Sequence, residues 1–171
     1  MIIIFNRYIF ILSLICIVVF SSSCSSNSNE ETDIKQSNFT PIVLKTNDYE
    51  GVILFDSSLS GWKPTNEDIS NFESGIREYL VELMDKGGIS YESQNLKFVI
   101  DNFKDYKRQY FGLSNTGNKV IYCNFLLVNE EYEFDWKNKY ITVNDGGPSF
   151  LSIKFNKSKK KYFDLSINGN A

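Results

Sequence analysis

The sequence predicts an α+β domain with N-terminal strands, one long amphipathic helix and a four- to five-stranded antiparallel meander packed on that helix. Two observations carry this expectation. Between Ile69 and Met84 apolar residues recur at helical spacing, and from Tyr106 onward the period changes to two, with short turn-rich connections between the runs.

Each element follows from its residues. Pro41-Ile42-Val43-Leu44-Lys45 and Gly51-Val52-Ile53-Leu54-Phe55 are β-branched runs separated by residues 46–50, so one or both should be strands. Thr65, with Pro64 ahead of it and Asp68 three places on, is a capping-box start: each side chain can accept the other's backbone N–H. Ile69, Phe72, Ile76, Tyr79, Leu80, Leu83 and Met84 then form one broad stripe, and Gly87-Gly88 ends the helix. The positions Asn71, Glu73, Arg77, Glu78, Glu82 and Asp85 read as its solvated face. A shorter helix starting near Ser93 is expected on Leu96, Val99, Ile100 and Phe103. Strands are expected at 106–113, 119–128, 140–144, 149–156 and 161–168, with turns at 114–118, 145–148 and 157–160.

Alternate residues of a strand face opposite sides of its sheet, so parity divides these runs into two faces. One face holds Phe111, Leu113, Ile121, Cys123, Phe125, Leu127, Ile141, Val143, Leu151, Ile153, Phe155, Phe163, Leu165 and Ile167, and should meet the helix. The other presents Tyr106, Arg108, Tyr110, Tyr122, Asn124, Leu126, Thr142, Asn144, Ser152, Lys154, Tyr162, Asp164 and Ser166. This mixed face suits a contact surface. Arg108, Tyr110, Tyr122 and Asn124 are its candidate binding residues, and Trp136, in a neighbouring loop, is a candidate aromatic anchor.

Ahead of the domain, Arg7 is followed by an apolar run to Phe20 and then Ser21-Ser22-Ser23-Cys24. That is a signal-segment layout. The small residues before Cys24 resemble a bacterial lipobox, with Ser21 where leucine is commoner. The resemblance implies cleavage after Ser23 and thioether- and amide-linked acyl chains, palmitate among them, on Cys24. Several acyl chains would hold the protein stably on a bilayer. Cys16 is a poor rival because bulky Ile15 precedes it. Residues 1–23 are thus expected to be a signal peptide, 24–39 a lipid anchor with a polar tether, and 40–171 a single domain. The implied location is the cell envelope, at the outer membrane. The Glu30-Glu31 pair after Cys24 loosely resembles a surface-export signal.

The strand, helix and meander order resembles the cystatin-like and nuclear-transport-factor-like folds. The Gln-x-Val-x-Gly loop and Pro-Trp hairpin of inhibitory cystatins are absent, since Gln109-Tyr110-Phe111-Gly112 has the glutamine and glycine too close and Ser149 follows Pro148. The stretches 61–65, 106–112 and 145–147, with Tyr162-Phe163, are similar to those of small bacterial lipoproteins of unknown role, which implies no activity.

The chemistry is narrowed by composition. The 171 residues contain no histidine, so no Ser-His or Cys-His pair exists, and the net charge of −3 disfavours nucleic acid. Cys123 alternates with Ile121 and Phe125 and reads as a small buried hydrophobe. Glu130, Glu131, Glu133 and Asp135 form an acidic loop whose order fits no EF-hand, and the 145–148 segment lacks the lysine and helix of a phosphate loop. Lys157, Lys159, Lys160 and Lys161 crowd one hairpin tip and read as a solvated turn. Neither a cofactor nor a metal is expected. The resulting expectation is a non-enzymatic, membrane-anchored binding module with a protein or glycan ligand. An inhibitor or immunity-type protein acting on an envelope hydrolase is the alternative, and a carboxylate-only hydrolase would need two acidic side chains together in one pocket.

Overall fold

The computed structural model describes residues 39–55, 61–87, 91–115, 117–128 and 135–169. Cys24, Ser23, the tether and the acidic residues 130–133 lie outside them. The domain is α+β: a six-stranded, mostly antiparallel sheet with two helices. Strands β1 (Thr40–Lys45) and β2 (Glu50–Phe55) form an antiparallel pair. Helices α1 (Asn66–Gly87) and α2 (Tyr91–Asp101) follow, and β3 (Lys107–Asn115) returns parallel to β2. The remaining strands, β4 (Asn118–Leu126), β5 (Phe150–Asn156) and β6 (Lys161–Ile167), continue as an antiparallel meander. A parallel neighbour requires a long crossover, and the two helices supply it.

Helix α1 begins where the capping box requires. The backbone N–H of Asp68 donates to Thr65 Oγ1 at 3.2 Å, and Thr65 N–H donates to Asp68 Oδ2 at 3.0 Å. Lys157 Nζ reaches Asp68 Oδ1 at 2.6 Å and so ties the helix start to the β5–β6 turn. Thr65→Ala removes the cap and is expected to cost about 1 kcal/mol in urea unfolding. Just ahead of the cap, the chain crosses β3 so closely that a Cβ on Gly112 would stand 2.1 Å from the Trp62 carbonyl oxygen. Only glycine admits that crossing.

The main core lies between the helices and one face of the sheet. It joins Ile69, Phe72, Ile76 and Leu80 of α1 and Leu96, Val99 and Ile100 of α2 to Ile121, Cys123, Phe125, Leu151, Ile153 and Phe155. Here β4 and β5 follow the parity expected of them. Strand β3 does not. Tyr110 stands opposite Cys123 and Arg108 opposite Phe125, so Tyr106, Arg108 and Tyr110 face the helices and are fully buried, while Gln109 and Phe111 take the other side. Strand β6 changes phase within itself. The register shifts opposite Ser152–Lys154, Asp164 has φ 50°, and Tyr162 ahead of the irregularity packs in the core together with Leu165 and Ile167 beyond it. Phe163 is therefore paired with Lys154 on the far side.

The expected strand at 140–144 is absent, and 145–148 is not a hairpin turn. Both edges of β4 are taken, by β3 and β5, so a run inserted between β4 and β5 in sequence cannot pair with the strand it follows. Instead residues 135–146 cross the second face of the sheet and lead into a 3₁₀ turn, Gly147–Ser149, entered through Gly146 at φ 95°. Trp136 and Ile141 pack there with Val52, Leu54, Leu126 and Phe150 in a second apolar cluster. Side chains replace the missing ladder. Gln109 Nε2 donates to the carbonyls of Trp136 and Lys139, both at 2.6 Å, and Gln109 Oε1 accepts from Ile141 N–H at 3.1 Å and Asn124 Nδ2 at 3.3 Å. Asn124 Nδ2 also donates to the Ile141 carbonyl at 2.8 Å.

Candidate functional site

The residues that shape the site are Arg108 and Tyr110, the β3 side chains turned inward. Arg108 is 0% exposed. Its Nη1 and Nη2 donate to the carbonyls of Tyr106 and Phe103 at 2.7 and 3.0 Å, and its guanidinium carbon lies 4.9, 4.7 and 5.0 Å from the ring centroids of Tyr49, Phe103 and Phe125. Aromatic faces thus replace much of the water a buried cation loses. Its Nε lies 3.2 Å from Glu73 Oε1, at an angle that makes an ion pair without a hydrogen bond.

Glu73 comes from α1, where its spacing from Ile69 and Ile76 sets it on the apolar stripe. Its side chain is 11% exposed. Oε1 accepts from the Tyr110 hydroxyl at 2.6 Å. Burial raises the pKa of the Glu73 carboxyl above its ordinary value, and the Arg108 charge and the Tyr110 hydrogen bond only partly offset that. Burial likewise pushes the Tyr110 hydroxyl and the neighbouring Cys123 thiol well up. Cys123 is a buried, protonated core residue.

Glu73 lines a cleft of about 750 Å³ between the middle of α1, the C-terminal end of α2 with the loop after it, and the β1–β2 turn. Thr46, Ser70 and Ser74 bring hydroxyls to it. Asp48, Asp101, Asp105, Arg77 and Lys104 stand around it, and Tyr49, Ile100 and Phe103 give it an apolar floor. The β1–β2 wall is held by Thr46 Oγ1, which accepts from the N–H groups of Asp48 and Tyr49 at 3.2 and 3.1 Å. Lys104 and Asp48 pair at 2.7 Å, which lowers the pKa of the Asp48 carboxyl. At this cleft, then, one carboxyl is shifted up and another down.

Close by, Glu50 receives Lys107 at 2.8 Å and Lys137 at 3.0 Å, linking β2 and β3 to the segment that crosses the second face. The Lys107 and then the Lys137 hydrogen bonds pull the Glu50 carboxyl down from 4.5 to about 2. A depressed carboxyl contributes stability above its unfolded value and loses it as pH falls through the folded one. Its side chain is 21% exposed, so solvent screening reduces the effect. Glu50→Gln should therefore cost about 1 kcal/mol at pH 7 and nothing near pH 2, measured as urea midpoints across the acid range.

The five binding candidates do not form one surface. Arg108 and Tyr110 belong to the core beneath the cleft, not to the mixed face. Asn124, 8% exposed, belongs to the amide clamp that holds the crossing segment. Trp136 is 9% exposed and lies over the second cluster instead of projecting from a loop. Tyr122 is on the mixed face, half-buried, with its hydroxyl 3.2 Å from that of Tyr140, and both rings pack on Phe111. Beside them is a recess of only about 70 Å³. Glu73 is thus not part of the solvated face of α1 expected from its charge; an acid at i+4 from Ile69 and i−3 from Ile76 is the sequence signal that the stripe carries a buried carboxyl.

Among the described residues no His, Cys, Asp or Glu cluster suited to a metal ion occurs, and no helix is long and apolar enough to cross a membrane. Comparison with protein-family models, curated proteins and solved structures gives no match.

Proposed function

We propose that this protein is a lipid-anchored envelope binding module whose ligand enters the cleft between α1, the end of α2 and the β1–β2 turn. The observation that carries the reading is Glu73, a largely buried carboxyl that is held by Tyr110 and Arg108 and lines the cleft. Hydroxyls and both signs of charge around an aromatic floor suit a polyhydroxylated ligand, a glycan, which needs paired donors and acceptors and a ring to stack on. Lipid anchoring rests on the lipobox-like Ser21-Ser22-Ser23-Cys24, and outer-membrane placement on the same residues. Within α+β proteins, α1 lying along an antiparallel meander supports a cystatin-like or nuclear-transport-factor-like arrangement. The parallel β2–β3 pair and α2 are additions to it.

The test is calorimetric titration of the full chain with defined envelope oligosaccharides, alongside Ser74→Trp, which fills the cleft from an exposed position on α1. Binding should weaken at least tenfold with no change in thermal midpoint. Glycan binding that Ser74→Trp leaves intact would remove the cleft from the function. Tight inhibition of an envelope hydrolase without glycan binding would favour the inhibitor reading.

A further inference from the structure

The lysines of this acidic chain are unevenly distributed over the domain. β1 starts at Thr40 opposite Phe55, the last residue of β2, and β3, parallel to β2, ends at the same side of the sheet. The β3–β4 and β5–β6 turns therefore sit at the end where β1 begins. That end carries Lys63, Lys119, Lys157, Lys159, Lys160 and Lys161, all exposed. The facing carboxylates among the described residues are Glu67 and Asp68 in the first turn of α1, and Asp68 is already occupied by Lys157. Among the described residues, six lysines thus stand with two carboxylates at this end. Lys63, Lys119, Lys159, Lys160 and Lys161 have no ion pair among the described residues; at the opposite end Lys45 has none either, while Lys104 and Lys107 are paired with Asp48 and Glu50. Trp62 sits within the basic group. Its ring lies 5.2 Å from Lys119 Nζ and 5.5 Å from Lys157 Nζ, and its Nε1 donates to the Leu113 carbonyl at 3.0 Å.

The position of this patch relative to the chain's path is what gives it a partner. Residues 24–39 lead into the domain at Thr40, at the lysine end, while the cleft is walled by the β1–β2 turn and by the loop before β3, at the other end. We propose that the lysine end docks on the anionic phospholipid headgroups of the bilayer that holds the Cys24 anchor, so that the cleft opens away from the membrane. This rests on the anchored reading above. The anchor keeps the patch within reach of the surface, where each lysine strengthens association about 5-fold, and salt screens the attraction beyond roughly 10 Å. Trp62 supplies the amphipathic ring that favours a headgroup interface.

The experiment is flotation of the full chain, as processed by a bacterial host, with phosphatidylcholine vesicles and with vesicles containing phosphatidylglycerol, followed by brief amine acetylation and mass spectrometry. Docking predicts that Lys159, Lys160 and Lys161 acetylate at least 5-fold more slowly on the anionic vesicles. Lys97 and Lys104 should be unaffected, and 0.5 M salt should abolish the difference. The variant Lys159→Glu, Lys160→Glu, Lys161→Glu, all on exposed positions, should remove protection from Lys63 and Lys119. A chain that floats with both vesicles and acetylates equally on both retains its anchor and overturns the docking. One that floats only with anionic vesicles supports docking and overturns the anchor, and one that floats with neither overturns both.

Discussion

Arg108→Met is expected to lower folding stability by about 3 kcal/mol, the largest effect of any single substitution at the cleft. Methionine fills much of the space, but it leaves the carbonyls of Phe103 and Tyr106 without their donors and Glu73 without its cation. The two members of the pair should not behave alike. Burial already holds the Glu73 carboxyl above its ordinary value, so Glu73→Gln in the unaltered protein should change stability by less than about 1 kcal/mol at pH 7. In the Arg108→Met background the same change should recover at least about 1 kcal/mol, because it removes a buried, unpaired charge. The pH dependence has a defined sign. A carboxyl raised in the folded state contributes stability below its unfolded value near 4.5 and loses it as pH rises through the folded value, and loss of Arg108 makes that decline steeper. Urea midpoints for the four proteins between pH 4 and 8 give both readouts. Additive substitutions with parallel pH profiles would show that Arg108 and Glu73 do not act as a pair.

Gln109→Leu should cost about 3 kcal/mol and release the segment that covers the second sheet face. One side chain holds three backbone groups of that segment, and its removal leaves the Ile141 N–H and the carbonyls of Trp136 and Lys139 buried without partners. Gln109→Glu distinguishes clamping from packing. It keeps the shape but turns two donors into acceptors facing two carbonyls at 2.6 Å, so it should be at least as damaging as leucine. Hydrogen exchange at the Ile141 amide and red-shifted Trp136 emission would report the release. A Gln109→Glu variant with unchanged Ile141 exchange would mean that Trp136 and Ile141 hold the segment by apolar contact alone.

Much of the secondary structure was legible in the residues, and the site was less so. The Thr65–Asp68 capping box, the α1 stripe, the α2 apolar positions and four of the five period-two runs depend on neighbours within a few residues, which is why reading them in sequence succeeds. Arg108 was assigned to the mixed face because a guanidinium reads as solvent-exposed. Its burial depends on Tyr49, Phe103 and Phe125, which come from three separate parts of the chain. For Glu73 the local signal existed, since its spacing puts it on the apolar stripe, but the reason an acid is tolerated there lies across the core in Arg108 and Tyr110.

Sequence by itself determined both helices and every strand except the one expected at 140–144, where α1 starts, that Cys123 is internal, and that no histidine chemistry is available. Tertiary structure alone decided which side of β3 faces the helices, that β6 changes phase at Asp164, and that 135–146 crosses a sheet face instead of joining an edge. The reason is physical. Periodicity separates alternate residues into two sets without saying which set is inside, and that choice is made by partners far away in sequence. An arginine facing three aromatic rings, a carboxyl and two carbonyls is stable inside, and a segment that joins no strand edge is held by a glutamine instead of a ladder.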